Sequence, residues 1–377
     1  MLKVVHLTSA HPRYDTRIFL KQCRSLARAG YAVTLLVADG KGNETKDGVT
    51  ILDVGTSATR LRRMLGATRR ILSAAKGLDA DLFHFHDPEL IPAGLALARQ
   101  GRRVIFDAHE DLPKQLIGKP YLFPLARRAL ARGFSVYERV ACSRLAGIVS
   151  ATPAIHHKFR QINPRAAEIN NFPLLGELES GAIDWTPKRA QVAYVGGIGR
   201  IRGILEVVEA MGLVRSGARL QLVGKFSAAE DEARARRSKG WGAVDALGFQ
   251  TRQEVRETLR RAVAGVVTFL PLPNHVDAQP NKMFEYMSAG VPVIASNFPL
   301  WREIIEGHEC GICVDPLNPQ AIAEAIDQLV GHPREAERMG LNGQKAVYER
   351  YNWSIEEKHL LDFYRQLLPH QSFVSSS

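Results

Sequence analysis

The chain has 377 residues, 45% of them hydrophobic and 24% charged, a composition typical of a soluble globular protein large enough for two domains. Its four cysteines are too few for a disulfide framework, and its apolar runs stay shorter than the about 18 residues of a membrane-spanning helix. The first residues lack the apolar core and cleavage site of a signal peptide, so these features together favour a cytoplasmic protein.

The formal charge of +11 is carried almost entirely by the first part of the chain. Residues 1–170 hold 27 Lys and Arg against 14 Asp and Glu, whereas residues 171–377 hold 23 against 25. Such an asymmetry indicates that one domain meets a polyanion. Nucleic acid and an anionic membrane surface are the two candidates.

The first half of the chain alternates predicted strands with predicted helices. The strands are Lys3–Thr8, Ala32–Val37, Asp81–His86, Arg103–Asp107 and Gly147–Ala151. The helices are Arg17–Ala29, Glu89–Arg99 and Leu122–Cys142. This alternation predicts βαβ units and a parallel sheet in a first domain, residues 1–170.

Turn residues interrupt the pattern over residues 171–189, which we interpret as a linker, and a second alternating series fills residues 190–350. Its strands are Val192–Val195, Leu220–Val223, Val244–Leu247, Val263–Phe269 and Val291–Ala295. Thr251 and Glu254 are spaced as a capping box for a helix at Arg252–Ala262, and Asn318 is placed as the N-cap of a helix at Pro319–Val330. We expect a C-terminal helix within residues 351–370 to pack back on the first domain, and a disordered tail at residues 371–377.

The stretch after the strand Val263–Phe269 combines features of a binding site. Pro280 and Gly290 bound a predicted helix whose N-terminus opens at the carboxyl end of the sheet, where exposed amides suit a phosphate. Asn281 and Glu285 are four residues apart and share one face of this helix. The two oxygens of Glu285 could accept both hydroxyls of a ribose, although periodicity alone favours a solvated surface glutamate.

The spacing Asp277-x7-Glu285, followed by a run that ends at Ser296, resembles the glutamate-x7-glutamate signature of the retaining glycosyltransferases of family GT4. Segments that begin at His11, His86, Phe106 and Ala246 are similar to bacterial members that assemble polysaccharides. The resemblance implies an α/β protein with the GT-B fold, in which two Rossmann-like domains face each other across a cleft. The first domain would bind the acceptor and the second the nucleotide-sugar.

The resemblance also implies roles for the residues of the signature. Asp277 would meet the donor sugar, with a carboxylate about one carbon shorter than the family's glutamate, and Glu285 would hold the ribose. Gly248 and Phe249 resemble the backbone that receives the base. Lys282 could neutralise a phosphate, and the alternative is a surface lysine with its ammonium in solvent.

The loop after the first strand of the second domain, Tyr194–Gly203, resembles the family's diphosphate loop. The family has an arginine directly after the first glycine, here Gly196, and a lysine before the last. Gly197 stands where that arginine is expected, Arg202 fills the second position, and Arg200 is a candidate to compensate. Cations at these positions would stabilise the leaving diphosphate.

Two further groups of residues follow predicted strands of the first domain. His109 matches a family histidine near the donor sugar, which makes it the third catalytic candidate with Asp277 and Arg202. Candidates for the acceptor side are Arg13, Asp15, Arg17, His86 and Asp87. Because this fold carries the diphosphate on amides and cations, we expect no metal and no cofactor.

Basic amphipathic stretches at Arg60–Lys76 and Phe123–Arg144 suit an anionic membrane surface, such as the inner face of the plasma membrane, although ordinary solvated helix faces would give the same pattern. The predicted activity is transfer of a sugar from a UDP- or GDP-sugar to a polysaccharide or lipid-linked oligosaccharide acceptor, with retention. A nucleotide-sugar epimerase is the alternative. A nucleic-acid-binding protein ranks last, because no aromatic-and-basic motif accompanies the charge.

Overall fold

In a computed structural model, the described residues are 1–56, 66–117, 123–178, 183–186 and 188–368. They form two compact units. The first comprises Met1–Asn171 together with the C-terminal segment that begins at Ser354, and the second is Phe172–Trp353. The predicted disordered tail and residues 60–65 of the first basic stretch lie outside the described residues, as do residues 179–182 and 187 of the predicted linker.

The first unit contains an eight-stranded sheet. Its strands are β1 (Lys3–Leu7), β2 (Ala32–Val37), β3 (Glu44–Lys46), β4 (Val49–Asp53), β5 (Leu82–Phe85), β6 (Val104–Ala108), β7 (Gly147–Ser150) and β8 (Ala166–Glu168). The order is β3-β4-β2-β1-β5-β6-β7-β8, and all neighbours are parallel except β3 and β4. With β1 in the middle and later strands on both sides, this is a doubly wound Rossmann-type sheet.

The helices of the first unit cover this sheet. They are α1 (Thr16–Cys23 continued by Arg24–Arg28), α2 (Thr68–Lys76), α3 (Ile91–Ala98), α4 (Leu112–Ile117), α5 (Pro124–Cys142) and α6 (Pro153–Arg160). Leu7, Phe83, Phe85 and Ile148 are fully buried, as expected for parallel strands that are covered on both faces. The predicted strands and helices of this half agree with these elements to within a few residues, while β3, β4 and β8 were not predicted.

The helix predicted at Arg17–Ala29 begins as a π-helix over Thr16–Cys23. The Asp15 carbonyl oxygen accepts from the amide of Leu20, five residues on, at 3.1 Å. Arg17, Lys21 and Gln22 are among the buried residues of this helix. Because a periodic pattern assigns polar side chains to the solvent side, the sequence did not predict that these three face inward.

The second unit contains six parallel strands, and its sheet order is β11-β10-β9-β12-β13-β14. The strands are β9 (Arg189–Val195), β10 (Arg219–Val223), β11 (Val244–Gly248), β12 (Ala262–Val267), β13 (Val293–Ser296) and β14 (Gly311–Val314). The helices are α7 (Ile204–Met211), α8 (Ala229–Arg237), α9 (Arg252–Arg261), α10 (Asn281–Ser288), α11 (Pro299–Ile305), α12 (Pro319–Gly331) and α13 (Pro333–Glu349). This is again the Rossmann order, so both domains of the predicted α/β fold are confirmed as doubly wound.

Local signals placed two of these helices correctly. The Thr251 side chain accepts from the amide of Glu254, and the Glu254 carboxylate accepts from the Thr251 amide, which completes the capping box of α9. Asn318 accepts from the first amides of α12, and Pro319 occupies its first turn. Both contacts lie within one turn of chain, which is why sequence alone identifies them.

The C-terminal helix, α14 (Trp353–Leu367), contributes to the core of the first unit from Ser354 onward. A β-carbon on Gly147 would come within 2.7 Å of the Phe363 ring, and the Tyr364 hydroxyl lies 2.7 Å from Nδ1 of His84. This helix therefore completes the layer that covers the sheet of the first unit. Across the described part of the chain, no helix is both long and apolar enough to span a bilayer.

Candidate active site

The second unit has its topological switch point between β9 and β12, which are neighbours in the sheet. Ligands of doubly wound sheets bind at the carboxyl ends of the strands that flank this point. Gly196 directly follows β9, with a φ of +107° that side chains rarely adopt. Gly203 ends the short turn Arg200–Arg202 with a φ of +73°, and a β-carbon there would come within 1.9 Å of the Thr268 carbonyl oxygen after β12. The two strand ends are thus held together by backbone contact.

Arg202 reaches back over the glycines of this loop. Its Nη1 donates to the Gly197 carbonyl oxygen at 3.1 Å, and a β-carbon on Gly197 would lie 2.4 Å from the same nitrogen. The guanidinium carbon stands 5.8 Å from the centre of the Phe269 ring. Gly197 therefore leaves the space that the Arg202 side chain fills.

Arg200 lies in the same short turn but faces a different partner. Its guanidinium forms an ion pair with Glu206, and its backbone amide donates to Asp231 at 2.9 Å. These contacts join the turn to α7 and α8. The predicted compensation by Arg200 would require this guanidinium to leave Glu206.

Lys282 is buried, so the alternative of a surface lysine is wrong. Its Nζ stands 4.0 Å from the centre of the Tyr194 ring and 4.0 Å from the β-carbon position of Gly196. Among the described residues, Nζ has no hydrogen-bond acceptor. Burial, reinforced by the charge of Arg202 and opposed by Glu285, lowers the pKa of Lys282 to about 7. An ammonium held without an acceptor next to a guanidinium is suited to an anionic ligand.

Helix α10, which carries Lys282, is docked tightly against the central strands. The amide of Val195, the last residue of β9, donates to the Tyr286 hydroxyl at 2.8 Å. The Tyr286 ring covers Gly265 of β12, where a β-carbon would come within 2.3 Å of a ring carbon. The position of Lys282 relative to the Gly196 loop therefore depends on contacts that a larger residue at 265 would break.

The acidic residues of the Asp277-x7-Glu285 spacing lie in the same unit. Glu285 is half-buried, and its Oε1 accepts from Arg252 at 2.9 Å; Arg252 also donates to Glu177 at 2.7 Å. Glu285 is therefore paired and half-buried, and the alternative of a solvated surface glutamate is wrong. Asp277 and Asn281 are half-buried as well, and Asn281 begins α10.

The residues predicted to receive the base end the edge strand β11. Gly248 has a φ of +69°, and its carbonyl oxygen accepts from the Gly224 amide at 2.7 Å. The Phe249 side chain is 77% exposed. The exposed Phe249 ring is available to pack against a ligand.

In the first unit, the polar candidates gather around Asp107 of β6. Arg17 donates to its two oxygens at 2.9 and 2.7 Å, and Gln22 and His86 contact Oδ2 at 2.7 and 3.1 Å. Burial disfavours the ionised form, but the charge of Arg17 and the hydrogen bonds with His86 and Arg17 hold the pKa of Asp107 well below its usual range. Asp107 is therefore a buried, fully bonded carboxylate.

His109 follows β6 and is the least enclosed member of this group. Its Nδ1 lies 3.5 Å from Oδ2 of Asp107, its ring is parallel to that of His86 at 5.7 Å, and His11 packs edge-on at 5.4 Å. Neither ring nitrogen has a hydrogen-bond partner among the described residues. Burial lowers the pKa of His109, although Asp107 opposes this. Both nitrogens are buried, and a neutral imidazole without a partner can donate to or accept from a sugar hydroxyl that reaches it.

The candidates for the acceptor side are engaged within the first unit. Asp87 accepts from the Ser9 amide at 2.6 Å, and Arg13 pairs with Asp39 at 2.7 Å. Asp15 caps α1: hydrogen bonds from His11 and the first helix amides outweigh burial and lower the pKa of Asp15 to about 2. Arg17 and His86 are buried beside Asp107. These contacts hold the loop after β1, and a contact with an acceptor stays a prediction.

Within the described part of the chain, two groups of three side chains bring potential metal-ligand atoms within 4.8 Å of one another. They are His6, His84 and His86, and His86, Asp107 and His109. Nδ1 of His6 contacts Nε2 of His86 at 2.9 Å, a hydrogen-bond distance, and Nδ1 of His86 already meets Asp107. The atoms that would face an ion are therefore mostly engaged with each other. The expected independence of metal stays a prediction.

Sequence reasoning missed His6, His84, Gln22 and Tyr364, although they complete the surroundings of Asp107. One local signal existed: His84 and His86 are two residues apart at the end of a predicted strand and so share one face of it. In the structure, His6 of β1 is the partner of His84 in the parallel register. Tyr364 arrives from the other end of the chain and has no local signal.

Sequence models of two domain families match the chain. Residues 16–174 match one described as glycosyl transferase 4-like domain, and residues 189–332 match one described as glycosyl transferases group 1. Among curated proteins, the chain is 26% identical over 310 residues to the GDP-mannose-dependent alpha-mannosyltransferase of Mycobacterium tuberculosis, a match covering 79% of this chain and 76% of that protein. Several other curated relatives are matched over less than half of their own length.

Solved structures also resemble nearly the whole chain, and two of them serve as examples. Sucrose-phosphate synthase from Thermosynechococcus elongatus has a TM-score of 0.78 at 19% identity, over 97% of this chain and 99% of that one. HepE of Anabaena, solved in complex with UDP and glucose, has a TM-score of 0.75 at 13% identity, over 97% of this chain and 100% of that one. At such identities the similarity establishes the fold.

Proposed function

Because the chain is a glycosyltransferase with the GT-B fold, we propose that it moves a hexose from a UDP- or GDP-sugar to a polysaccharide or lipid-linked oligosaccharide acceptor, with retention at the anomeric carbon. The name of the mycobacterial relative supports a GDP-sugar, and the ligands of the Anabaena structure support a UDP-sugar. The observation that carries the proposal is the buried Lys282 ammonium without an acceptor, beside Arg202 and the Gly196 loop.

A sugar diphosphate complements this pair of cations. As the bond between the sugar and the β-phosphate of the donor breaks, negative charge grows on the β-phosphate oxygens. Arg202 can hold such oxygens with two parallel hydrogen bonds, and Lys282 presents its charge next to Gly196 in the same loop. Both side chains are placed before the ligand binds, so little reorganisation is needed when the charge appears.

The rest of the donor would extend along the carboxyl ends of the strands of the second unit. We assign the ribose to Glu285, whose carboxylate is held by Arg252 and retains acceptor capacity for two hydroxyls. We assign the base to the Gly248 backbone and the exposed Phe249 ring, and the transferred sugar to Asp277. Asn281, at the first turn of α10, is the further donor contact.

In the first unit, we assign His109 to the reacting sugar. Its unpaired imidazole nitrogens can bond a hydroxyl of that sugar, and because burial lowers the pKa of His109 the ring is neutral. A neutral ring can hold the sugar without adding a charge that would repel the oxocarbenium-like state through which a departing glycosyl unit passes.

Thermal unfolding with UDP, GDP, ADP and TDP tests the donor assignment. The correct nucleotide, present at about a hundred times its dissociation constant, should add roughly 2.7 kcal/mol of stability. Lys282→Met and Arg202→Gln should reduce that gain, whereas Arg338→Gln, on an exposed ion pair elsewhere in the second unit, should not. If none of the four nucleotides raises the unfolding temperature, the proposal is wrong. Incubation with a nucleotide-sugar alone separates a transferase from an epimerase, because only an epimerase converts the sugar without an acceptor.

Helix α5 supports an anionic membrane as the second partner. Leu125 and Val136 are 79% and 65% exposed on this helix, and Phe123, just before it, is 83% exposed. The same helix carries Arg127, Arg128, Arg132 and Arg139. Apolar side chains beside arginines match the boundary between acyl chains and anionic headgroups, where each cation contributes about 1 kcal/mol. We therefore place the protein at the inner face of the plasma membrane.

Sedimentation with vesicles tests this placement. The protein should pellet with vesicles of anionic phosphatidylglycerol at low salt and stay in solution with phosphatidylcholine vesicles. The double variant Leu125→Ser and Val136→Ser should bind less, while Leu341→Ser, an equally apolar exposed site on α13, should bind as the wild type does. Equal pelleting of all three proteins, or none of the wild type, would refute the membrane assignment.

A further inference from the structure

A continuous line of hydrogen-bonding side chains crosses the interior of the first unit. Nδ1 of His84 lies 2.7 Å from the Tyr364 hydroxyl, which lies 3.2 Å from Nε2 of His6. Nδ1 of His6 lies 2.9 Å from Nε2 of His86, whose Nδ1 lies 3.1 Å from Oδ2 of Asp107. All five side chains are fully buried. We call the first four the histidine chain, and Asp107 is where it ends.

The direction of every bond follows from the carboxylate at that end. Asp107 receives two hydrogen bonds from Arg17, so it is ionised and only accepts. Nδ1 of His86 must therefore carry a proton. Burial keeps this imidazole neutral and lowers the pKa of His86 to about 3, so its Nε2 is bare and accepts.

The remaining bonds are then forced one after another. His6 must donate from Nδ1 to reach the bare nitrogen of His86, and as a neutral ring it keeps a bare Nε2. The Tyr364 hydroxyl must donate to that nitrogen, which leaves its oxygen to accept from Nδ1 of His84. The line begins at Nε2 of His84, a buried nitrogen with no partner among the described residues.

We propose that the histidine chain is a one-directional relay: all three imidazoles carry their proton on Nδ1, and Tyr364 positions the Asp107 carboxylate beside His109. The reverse direction would place a bare Nδ1 of His86 against a carboxylate oxygen at 3.1 Å, with two acceptors facing each other. Because each donor polarises the next, the four bonds act together on Asp107.

This arrangement connects His109 to α14, which carries Tyr364. Oδ2 of Asp107 lies 3.5 Å from Nδ1 of His109, within ion-pair distance. A carboxylate fixed by the relay on one side and by Arg17 on the other gives His109 a constant electrostatic partner. Tyr364 acts through other residues and is a positioning residue.

Nitrogen NMR of the imidazole rings tests the proposal directly in the full-length protein. Free histidine in water favours the proton on Nε2, so the expected pattern is not the default. With ¹⁵N-labelled histidine, long-range proton–nitrogen correlations should show protonated Nδ1 and bare Nε2 for His6, His84 and His86. Single His→Gln variants assign the signals. A proton on Nε2 of His6 or His86 in the wild-type protein would overturn the relay.

A hydroxyl deletion provides the second test. In Tyr364→Phe, His6 and His84 lose their shared partner, so their nitrogen signals should move toward the average of two exchanging tautomers, and His86, two links away, should follow in part. Tyr31→Phe is the matched control, because the Tyr31 ring packs edge-on against Tyr364 at 6.0 Å but is not part of the relay. An unchanged His86 signal in a folded Tyr364→Phe protein would refute the positioning role.

Treatment with a chelator distinguishes the relay from a bound metal ion. The three imidazoles also form one of the clusters with metal-ligand spacing. The relay predicts that the wild-type nitrogen signals stay in place after the chelator and after added Zn²⁺. A shift of the bare nitrogens in either case would show coordination and overturn the proposal.

Discussion

The guanidinium of Arg202 lies against the α-carbon of Gly197, so close that a β-carbon there would stand 2.4 Å from Nη1. The same nitrogen donates to the Gly197 carbonyl oxygen at 3.1 Å. A side chain at position 197 and the observed position of Arg202 therefore exclude each other. The family resemblance predicts two cations in this loop, and this chain instead has Arg202 from the loop and Lys282 from α10.

Replacing Arg202 should cost most of the catalytic rate. Arg202→Gln removes a cation from the proposed diphosphate site, and losses of about 10²–10³ in kcat are typical for one such group. Arg200→Gln is the matched control. Because Arg200 is paired with Glu206, its replacement should lower kcat less than tenfold. Steady-state kinetics with the nucleotide-sugar found by thermal unfolding measures both. An equal loss in the two variants would mean that Arg200 also serves the diphosphate.

Gly197→Ala should reduce activity without reducing stability by more than about 1 kcal/mol. The new β-carbon would meet the end of the flexible Arg202 side chain rather than backbone, so the guanidinium can swing aside at little cost. Because the Arg202 guanidinium would then lie away from the proposed diphosphate site, kcat should fall. Urea unfolding and kinetics on the same preparation separate the two effects, and a fully active Gly197→Ala protein would contradict the assignment.

Lys282 should make stability and donor affinity depend on pH. The pKa of Lys282 is about 7 in the folded chain and 10.5 for an ordinary lysine. Between these values the unfolded chain holds a proton that the folded chain lacks, so this residue makes stability rise with pH. Below pH 7 the buried ammonium lowers the free energy of unfolding by its full amount. We expect Lys282→Met to be more stable by roughly 1–4 kcal/mol at pH 6.5, with the advantage shrinking toward pH 9.

The same titration should appear in binding. A diphosphate favours the protonated amine, so affinity for an intact nucleotide-sugar should fall by up to about tenfold per pH unit above pH 7. Lys282→Met should bind more weakly and lose this slope. Calorimetry at pH 7, 8 and 9 measures both, and a flat wild-type affinity would contradict the role given to Lys282.

Asp107→Asn should destabilise the first unit by about 3–5 kcal/mol, because Arg17 would stay buried without its charge partner. The pKa of Asp107 is held well below its usual range, so its contribution is present above the unfolded value near 4 and is lost only in acid. The difference from wild type in urea unfolding should therefore be constant from pH 6 to 8. Asp79→Asn, in an exposed pair with Lys3, should leave the urea midpoint nearly unchanged.

Features whose causes lie within a few residues were predictable from the sequence. The capping box at Thr251 and the N-cap at Asn318 involve neighbours along the chain, and the alternation of strands and helices predicted both parallel sheets. The spacing from Asp277 to Glu285 indicated the family because its pattern is short and contiguous.

What the sequence did not predict depends on contacts between distant residues. His84 and Tyr364 are 280 residues apart, and only the packing of α14 on the first unit joins them. The burial of Lys282 depends on Tyr286 reaching Val195 and on Gly265 admitting the Tyr286 ring. Such contacts have no periodic signature, so the sequence pattern does not distinguish a buried lysine from a surface lysine.

Because α14 packs on the first unit, the first unit cannot finish folding until the end of the chain is synthesised. During synthesis, a ribosome that has released residues 1–171 has not yet translated Phe363 or Tyr364, which pack on Gly147 and His84. The second unit, continuous from Phe172 to Trp353, can close first, although its sequence comes later. A stalled or truncated chain that ends before Ser354 would therefore carry a finished second unit joined to an open first one, with apolar surface for chaperones and proteases to recognise.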